Sequence, residues 1–156
     1  MTVAEPLEEL TPKLDRAWDS LEAGDLDAFM EVVSDEVAPD VEFSSGIGTG
    51  VGGGTYKGVE GIREWFSEVL NISRARSWAE RRYEAFGDDV LLFFSELELI
   101  GAASEVPVSN ETGAVFQYRN GRVIRIDSFM SHREAQEFAE AIVSRSGAQA
   151  SIDADA

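Results

Sequence analysis

Few residues in this chain can carry chemistry. Cysteine is absent and His132 is the one histidine. That excludes disulfides, thiolate sites, cysteine nucleophiles and any metal centre built on several histidines. Carboxylate chemistry remains. Asp127 stands in the run Ile124-Arg125-Ile126-Asp127, and Glu96 in Ser95-Glu96-Leu97-Glu98-Leu99. Strict alternation turns the isoleucines and leucines to a core and the charges to water. Two carboxylates that converge on one pocket instead share a proton, one held above its usual range and one below. Such a pair activates a water while protonating a leaving oxygen.

Other motifs weigh less. Gly48-Thr49-Gly50-Val51-Gly52-Gly53 has the form G-x-G-x-x-G. A dinucleotide site needs that signature to open a helix inside a βαβ unit, and no Gly-Lys-Ser/Thr ending follows. The stretch reads as a loop at a pocket mouth, with the composition of a lid. His132 follows the N-cap candidate Ser131, where a helix N-terminus disfavours an imidazolium, so it is expected as an exposed first-turn residue. Arg63, Arg74, Arg76, Arg81 and Arg82 are expected to pair with surplus acids.

The elements that must position these groups follow from periodicity. Leu7, Leu10, Leu14, Ala17, Trp18 and Leu21 predict a first helix ending at Gly24. Asp25 caps a second, striped by Leu26, Phe29, Met30 and Val33. Val41–Ser44 is a short strand, and Val59 to Ile72 a third amphipathic helix. The period then changes to two. Trp78–Phe86 and Val90–Ile100 form one hairpin, and Ala114–Tyr118 and Val123–Met130 another across Asn120-Gly121. The stretch Val90–Phe94 is apolar on both faces, as in a strand covered on both sides. Ser131 with Glu134 three residues on is a capping box for a last helix, with Ala135, Phe138, Ala139 and Ile142 inward. One domain over 1–146 is expected, with 147–156 a disordered tail. Helices, antiparallel hairpins and a closing helix make the class α+β.

Composition sets the surroundings. The net charge is -17, from 30 acidic and 13 basic residues. Phosphate backbones and anionic membrane surfaces are repelled, so neither nucleic acid nor membrane is expected as a partner. Only Lys13 and Lys57 are lysines. Abundant acids with scarce lysine fit a salt-adapted, halophilic cytoplasm, or an acidic soluble protein of an arginine-rich proteome. Residues 1–6 show no basic segment before an apolar one, so no signal peptide is expected and the setting is read as cytoplasmic.

In this order the chain resembles the SnoaL-like group of the nuclear transport factor 2-like superfamily. The matching words are Ala23-Gly24-Asp25-Leu26-Asp27-Ala28, Ala38-Pro39-Asp40-Val41-Glu42-Phe43, Gly54-Thr55-Tyr56-Lys57-Gly58-Val59-Glu60-Gly61-Ile62 and the run from Asn120 to Ala135. They fall within residues 14 to 143. The resemblance implies a cone: a strongly curved, mostly antiparallel sheet wrapped around N-terminal helices, a cystatin-like α+β barrel with one deep pocket. It also implies homodimers pairing across the outer sheet face. The superfamily includes polyketide cyclases, ketosteroid isomerases and limonene epoxide hydrolases, so fold alone gives no reaction.

The resemblance implies that Asp127 faces the cone interior, in the position of the epoxide hydrolases' catalytic aspartate, with Glu96 in that of their second. Phe94 stands where that branch has its ordering arginine. The isomerase roles fall on Phe43, near Ala17 and near Ala114, none able to fill them. Trp18, Phe43, Tyr56, Trp65, Phe94 and Phe129 are the expected substrate-binding walls, and Glu42 is expected in solvent. The expected function is binding of a small apolar molecule, or cofactor-free acid–base isomerisation, cyclisation or hydrolysis with Asp127 as base and Glu96 as proton donor. The rival is a non-catalytic binding or accessory module. No metal or cofactor is expected.

Overall fold

The computed structural model describes residues 7–45, 54–87, 89–103 and 106–155, with side chains described over 9–45, 55–87, 89–103 and 106–144. Helix α1 is Leu7–Glu22 and α2 is Leu26–Glu36. Asp25 caps α2 as expected, its carboxylate accepting the Ala28 N–H at 3.1 Å. Strand β1 (Val37–Ser45) and a short β2 (Gly54–Lys57) precede α3 (Gly58–Ile72). Four long strands follow: β3 (Ser73–Phe86), β4 (Val90–Gly101), β5 (Pro107–Arg119) and β6 (Arg122–Phe129). The last helix, α4 (His132–Asp155), carries helical backbone across most of the stretch read as a tail. The glycine-rich loop falls at 46–53, outside the described residues.

The six strands form one sheet in the order β2-β1-β6-β5-β4-β3. The β1–β6 pair is parallel; the others are antiparallel. The fold is thus the α+β class that the periodicity implied. Strands run longer than the alternation suggested. β1 can start at Val37 because Pro39 sits where the β1–β6 register slips, a place where a strand tolerates a residue without an N–H. β5 begins at Pro107 because polar Ser109, Asn110 and Glu111 pair with β4, and composition alone reads those residues as loop. The β5–β6 hairpin turns on Asn120 and Gly121, both at positive φ (53° and 81°), as a two-residue turn requires.

The sheet is covered on both faces. Its inner face meets α1, α2 and α3 through Leu10, Leu21, Phe29, Ile62 and Phe66 against Phe43, Leu91, Phe93 and Ile126. Its outer face carries a second cluster, in which Val90, Leu92, Phe94 and Val115 pack under Ala135 and Ala139 of α4. This accounts for the apolar run Val90–Phe94: the chain's own last helix supplies the second cover. Close approach of α4 rests on Gly113, where an added Cβ would lie 2.6 Å from that of Ala135.

An ion-pair clasp fixes α1 on the sheet. The register of β3 slips between Ala79 and Arg82, with Glu80 at φ 52°. Arg81, in that bulge, donates to the carbonyls of Trp78 and Asp15 at 2.8 and 3.2 Å and pairs with Asp19 and Glu22 at 2.9 and 3.0 Å. Burial works to lower the Arg81 pKa, but the bonds to Asp19 and Glu22 outweigh it and hold the guanidinium charged. The Tyr83 hydroxyl donates to Asp15 at 2.9 Å; burial first, and that bond second, raise its pKa. Arg63 pairs with Asp27, as expected of it, whereas Arg76 spends its donors on Ser73 and the Glu22 carbonyl.

Candidate functional site

Between the helices and the inner face lies a cavity of about 80 Å³. Its floor is Leu91, Ala114, Phe116 and Ile126; its roof is Trp18 and Phe29 from α1 and α2, with Phe66 from α3. The wall is almost wholly apolar, because alternation on β4, β5 and β6 delivers only inward residues to it. Polar groups reach it at a few points: Glu36 at the end of α2, Tyr118 on β5 and Ser128 on β6. Lys13 pairs with Glu36 at 3.7 Å, and the Glu36 side chain is 15% exposed.

Of the expected walls, Trp18 and Phe43 line this cavity. Tyr56 and Trp65 stand behind Phe43, with ring centroids 6.1 and 5.3 Å from it, and buttress it without reaching the cavity wall. Phe94 and Phe129 lie on the opposite face of the sheet: Phe94 is buried in the cluster beneath α4, and Phe129 packs at its edge with a centroid 5.2 Å from Phe138. The expectation for these two is corrected by parity. Leu91 and Phe93 face inward, so Leu92 and Phe94 face α4.

The same parity corrects the two carboxylates. Ile126 and Ser128 line the cavity, so Asp127 between them points to the outer face, where its cross-strand neighbour is Val115 of the outer cluster. Asp127 is nevertheless only 6% exposed. Arg125, two residues back on the same face, covers it with two bonds of 3.0 and 3.1 Å and reaches Glu42 at 3.3 Å. Its hydrogen bond to Asp127, ahead of opposing burial, raises the Arg125 pKa. Glu42, expected in solvent, is thus half-exposed and paired. Simple alternation is right about the direction of Asp127, and its charge is compensated by the guanidinium without reaching water.

Glu96 also lies on the outer face, opposite Glu111 of β5. It does not meet Asp127. Asp127 is level with Val115, Val115 with Leu92, and Leu92 stands four residues from Glu96. At ~3.3 Å per residue and ~4.8 Å per strand, the two backbone positions sit roughly 16 Å apart. A shared proton is out of reach.

His132 departs from its expected place as well. Its side chain is 27% exposed, its ring stands edge-on to Phe94 at 5.0 Å, and its Nε2 lies 2.9 Å from the Ser95 carbonyl. Ser131 does cap α4, accepting the Glu134 N–H at 3.3 Å, but the neighbouring His132 N–H goes to Glu111 at 2.9 Å.

Sequence reasoning missed Glu36, Tyr118 and Ser128. For Glu36 a signal existed. Asp35 and Glu36 close α2 with no basic residue in its last turn, opposing the helix dipole. Acids at a helix C-terminus break a local rule, and such breaks concentrate at functional sites.

The sequence profile of the SnoaL-like domain matches residues 14–126. None of the curated proteins matches the chain. Several solved structures share the fold. The crystal structure of TerC co-crystallized with polyporic acid is 20% identical, with TM-score 0.61, over 83% of this chain and 97% of that one. A putative polyketide cyclase from Xanthomonas campestris pv. campestris is 14% identical, with TM-score 0.61, over 81% and 93%. A putative SnoaL-like polyketide cyclase from Jannaschia sp. CCS1 is 13% identical, with TM-score 0.63, over 80% and 88%. At these identities the likeness is one of fold.

Proposed function

The chain belongs to the SnoaL-like domain family, and we propose that it holds a small, apolar, oxygen-bearing molecule in the cavity between its helices and the inner sheet face. The observation that carries this reading is the cavity itself: an apolar volume of about 80 Å³ with Glu36, Tyr118 and Ser128 at its wall. Pockets of this make-up bind by area and orient by a few polar groups. Trp18 and Phe43 are the wall residues, buttressed by Trp65 and Tyr56. That TerC was co-crystallized with polyporic acid supports the ligand class.

Binding is the primary role in this reading, and Asp127 and Glu96 take no part in it. Acid–base chemistry is a second reading, favoured by one feature: Glu36 brings a carboxylate to the wall. The setting is cytoplasmic, without a cofactor, and the charge of -17 supports the absence of nucleic-acid and membrane partners. The test is calorimetry with a panel of small neutral monocyclic phenols and ketones, phenol first. Ala114→Leu, which fills the cavity, abolishes binding, while Asp127→Asn and Glu96→Gln leave it unchanged. No binding by any member, or a loss with Asp127→Asn equal to that with Ala114→Leu, ends the proposal. If Glu36→Gln spares binding of a turned-over panel member yet lowers its turnover, Glu36 is the base.

We also propose a homodimer through the outer sheet face beyond the footprint of α4, where Glu42 and Arg125 supply self-complementary charges. Light scattering at twice the chain mass supports it. A monomer at every concentration ends it.

A further inference from the structure

On the outer face, apart from the cavity, β4, β5 and the start of α4 bring together Glu96, Glu111 and His132. Each offers one ligand atom, and these atoms lie within 4.8 Å of one another. Two acids directly opposite on neighbouring strands repel each other.

The imidazole makes the group more than a pair of acids. The Ser95 carbonyl can only accept, so His132 Nε2, at 2.9 Å, carries the hydrogen. In the neutral form of the ring Nδ1 then carries a lone pair directed at Glu111 Oε1, 3.6 Å away, a gap longer than a hydrogen bond. A ring anchored by one N–H on a backbone carbonyl, with its free nitrogen among carboxylates, is the arrangement of a metal-ligating histidine. Two ligand atoms each ~2.1 Å from a tetrahedral ion lie roughly 3.4 Å apart. The Nδ1–Oε1 gap already fits, and a Glu96 carboxylate oxygen lies within 4.8 Å of both atoms.

Each ligand is held. Phe94 packs edge-on to the His132 ring, the His132 N–H fixes Glu111, and Glu96 sits in the ladder. Nearby cations are otherwise engaged: Arg82 lies over the Phe94 ring at 4.6 Å and Arg133 pairs with Glu137 at 2.9 Å.

We propose that Glu96, Glu111 and His132 form a binding site for one divalent cation of the zinc class, with a fourth position open to solvent beside the half-exposed Glu111. One imidazole with two carboxylates favours zinc over magnesium or calcium, which take oxygen ligands. The site pins the start of α4 to β4 and β5.

The test uses the full chain, freed of metal with a chelator and titrated with Zn²⁺ in excess Mg²⁺ to occupy ordinary surface carboxylates. One equivalent binds, and the imidazole ¹⁵N signal of the sole histidine moves with it. Glu96→Gln and Glu111→Gln each weaken binding by roughly tenfold or more, while the neighbouring Glu98→Gln does not. His132→Gln abolishes it, with circular dichroism checking that α4 remains. The proposal is overturned if no saturable equivalent binds over Mg²⁺, if Glu98→Gln matters as much as Glu111→Gln, or if the imidazole signal stays put because a proton on Nδ1 fills the gap.

Discussion

Replacing Trp18 by alanine is expected to cost about 3–5 kcal/mol of folding stability, the range for large aromatics removed from a core. Trp18 is only half-buried by area, so exposure alone would suggest less. Its contacts argue otherwise. The ring stacks on Phe93 with centroids 5.0 Å apart and planes 7° apart, and on Trp78 at 5.3 Å. It also meets Phe29 at 5.7 Å and Phe66 at 6.2 Å. It therefore joins two arms of the aromatic core, one running through Phe93 to Tyr83 and the other through Phe66 to Trp65 and Phe43. No neighbour can collapse into the gap without leaving its own partner. The Arg81 clasp holds α1 over the sheet whether or not Trp18 is present, so the void stays open. Urea unfolding of Trp18→Ala and Trp18→Phe measures this. The phenylalanine variant keeps one stacked ring and is expected to lose about half as much. A loss under about 1 kcal/mol for Trp18→Ala would mean that the arms do not depend on it.

The fold was largely legible because its signals are local. The stripe Leu10, Leu14, Ala17, Trp18, Leu21, the Asp25 cap and the Asn120-Gly121 turn each need only a few neighbouring residues to be read. Val90–Phe94 announced a strand covered twice. What covered it was not legible, because an amphipathic α4 and a second copy of the chain leave the same mark on β4. The site was harder for the same reason. Face assignment depends on parity along a strand, and one residue of slip sends every side chain to the other side. The β5–β6 register shifts between Gln117 and Tyr118, and the β3–β4 register between Ala79 and Arg82. No residue type marks these shifts. Resemblance placed Asp127 inward, alternation placed it outward, and only the pairing with Val115 decides. The acids closing α2 mark Glu36 as unusual, but its proximity to Tyr118 and Ser128 exists only in three dimensions.

The seating of α4 gives a second large effect. Gly113→Ala adds one methyl group in a buried sheet position and is expected to destabilise by about 2 kcal/mol, within the 1–3 of overpacked cores. For a domain this size that lowers Tm by roughly 4–8 °C. The reason is rigid geometry. The new Cβ would lie 2.6 Å from Ala135 Cβ, and both carbons are fixed directly to backbone, so no rotamer relieves the clash. The remedies are to lift α4 off Val115 and Leu92, which opens the outer cluster, or to bend β5 between its pairings with β4 and β6. Ala135→Gly removes the opposing methyl, at a cost of about 1 kcal/mol for glycine in a helix. The two changes should therefore compensate. The double variant Gly113→Ala with Ala135→Gly is expected to be no less stable than Gly113→Ala alone, a coupling of at least about 1 kcal/mol. Additive losses in a double-mutant cycle would mean that α4 does not touch β5 at this point. A cover supplied by a second chain would then be the better explanation of the apolar outer face.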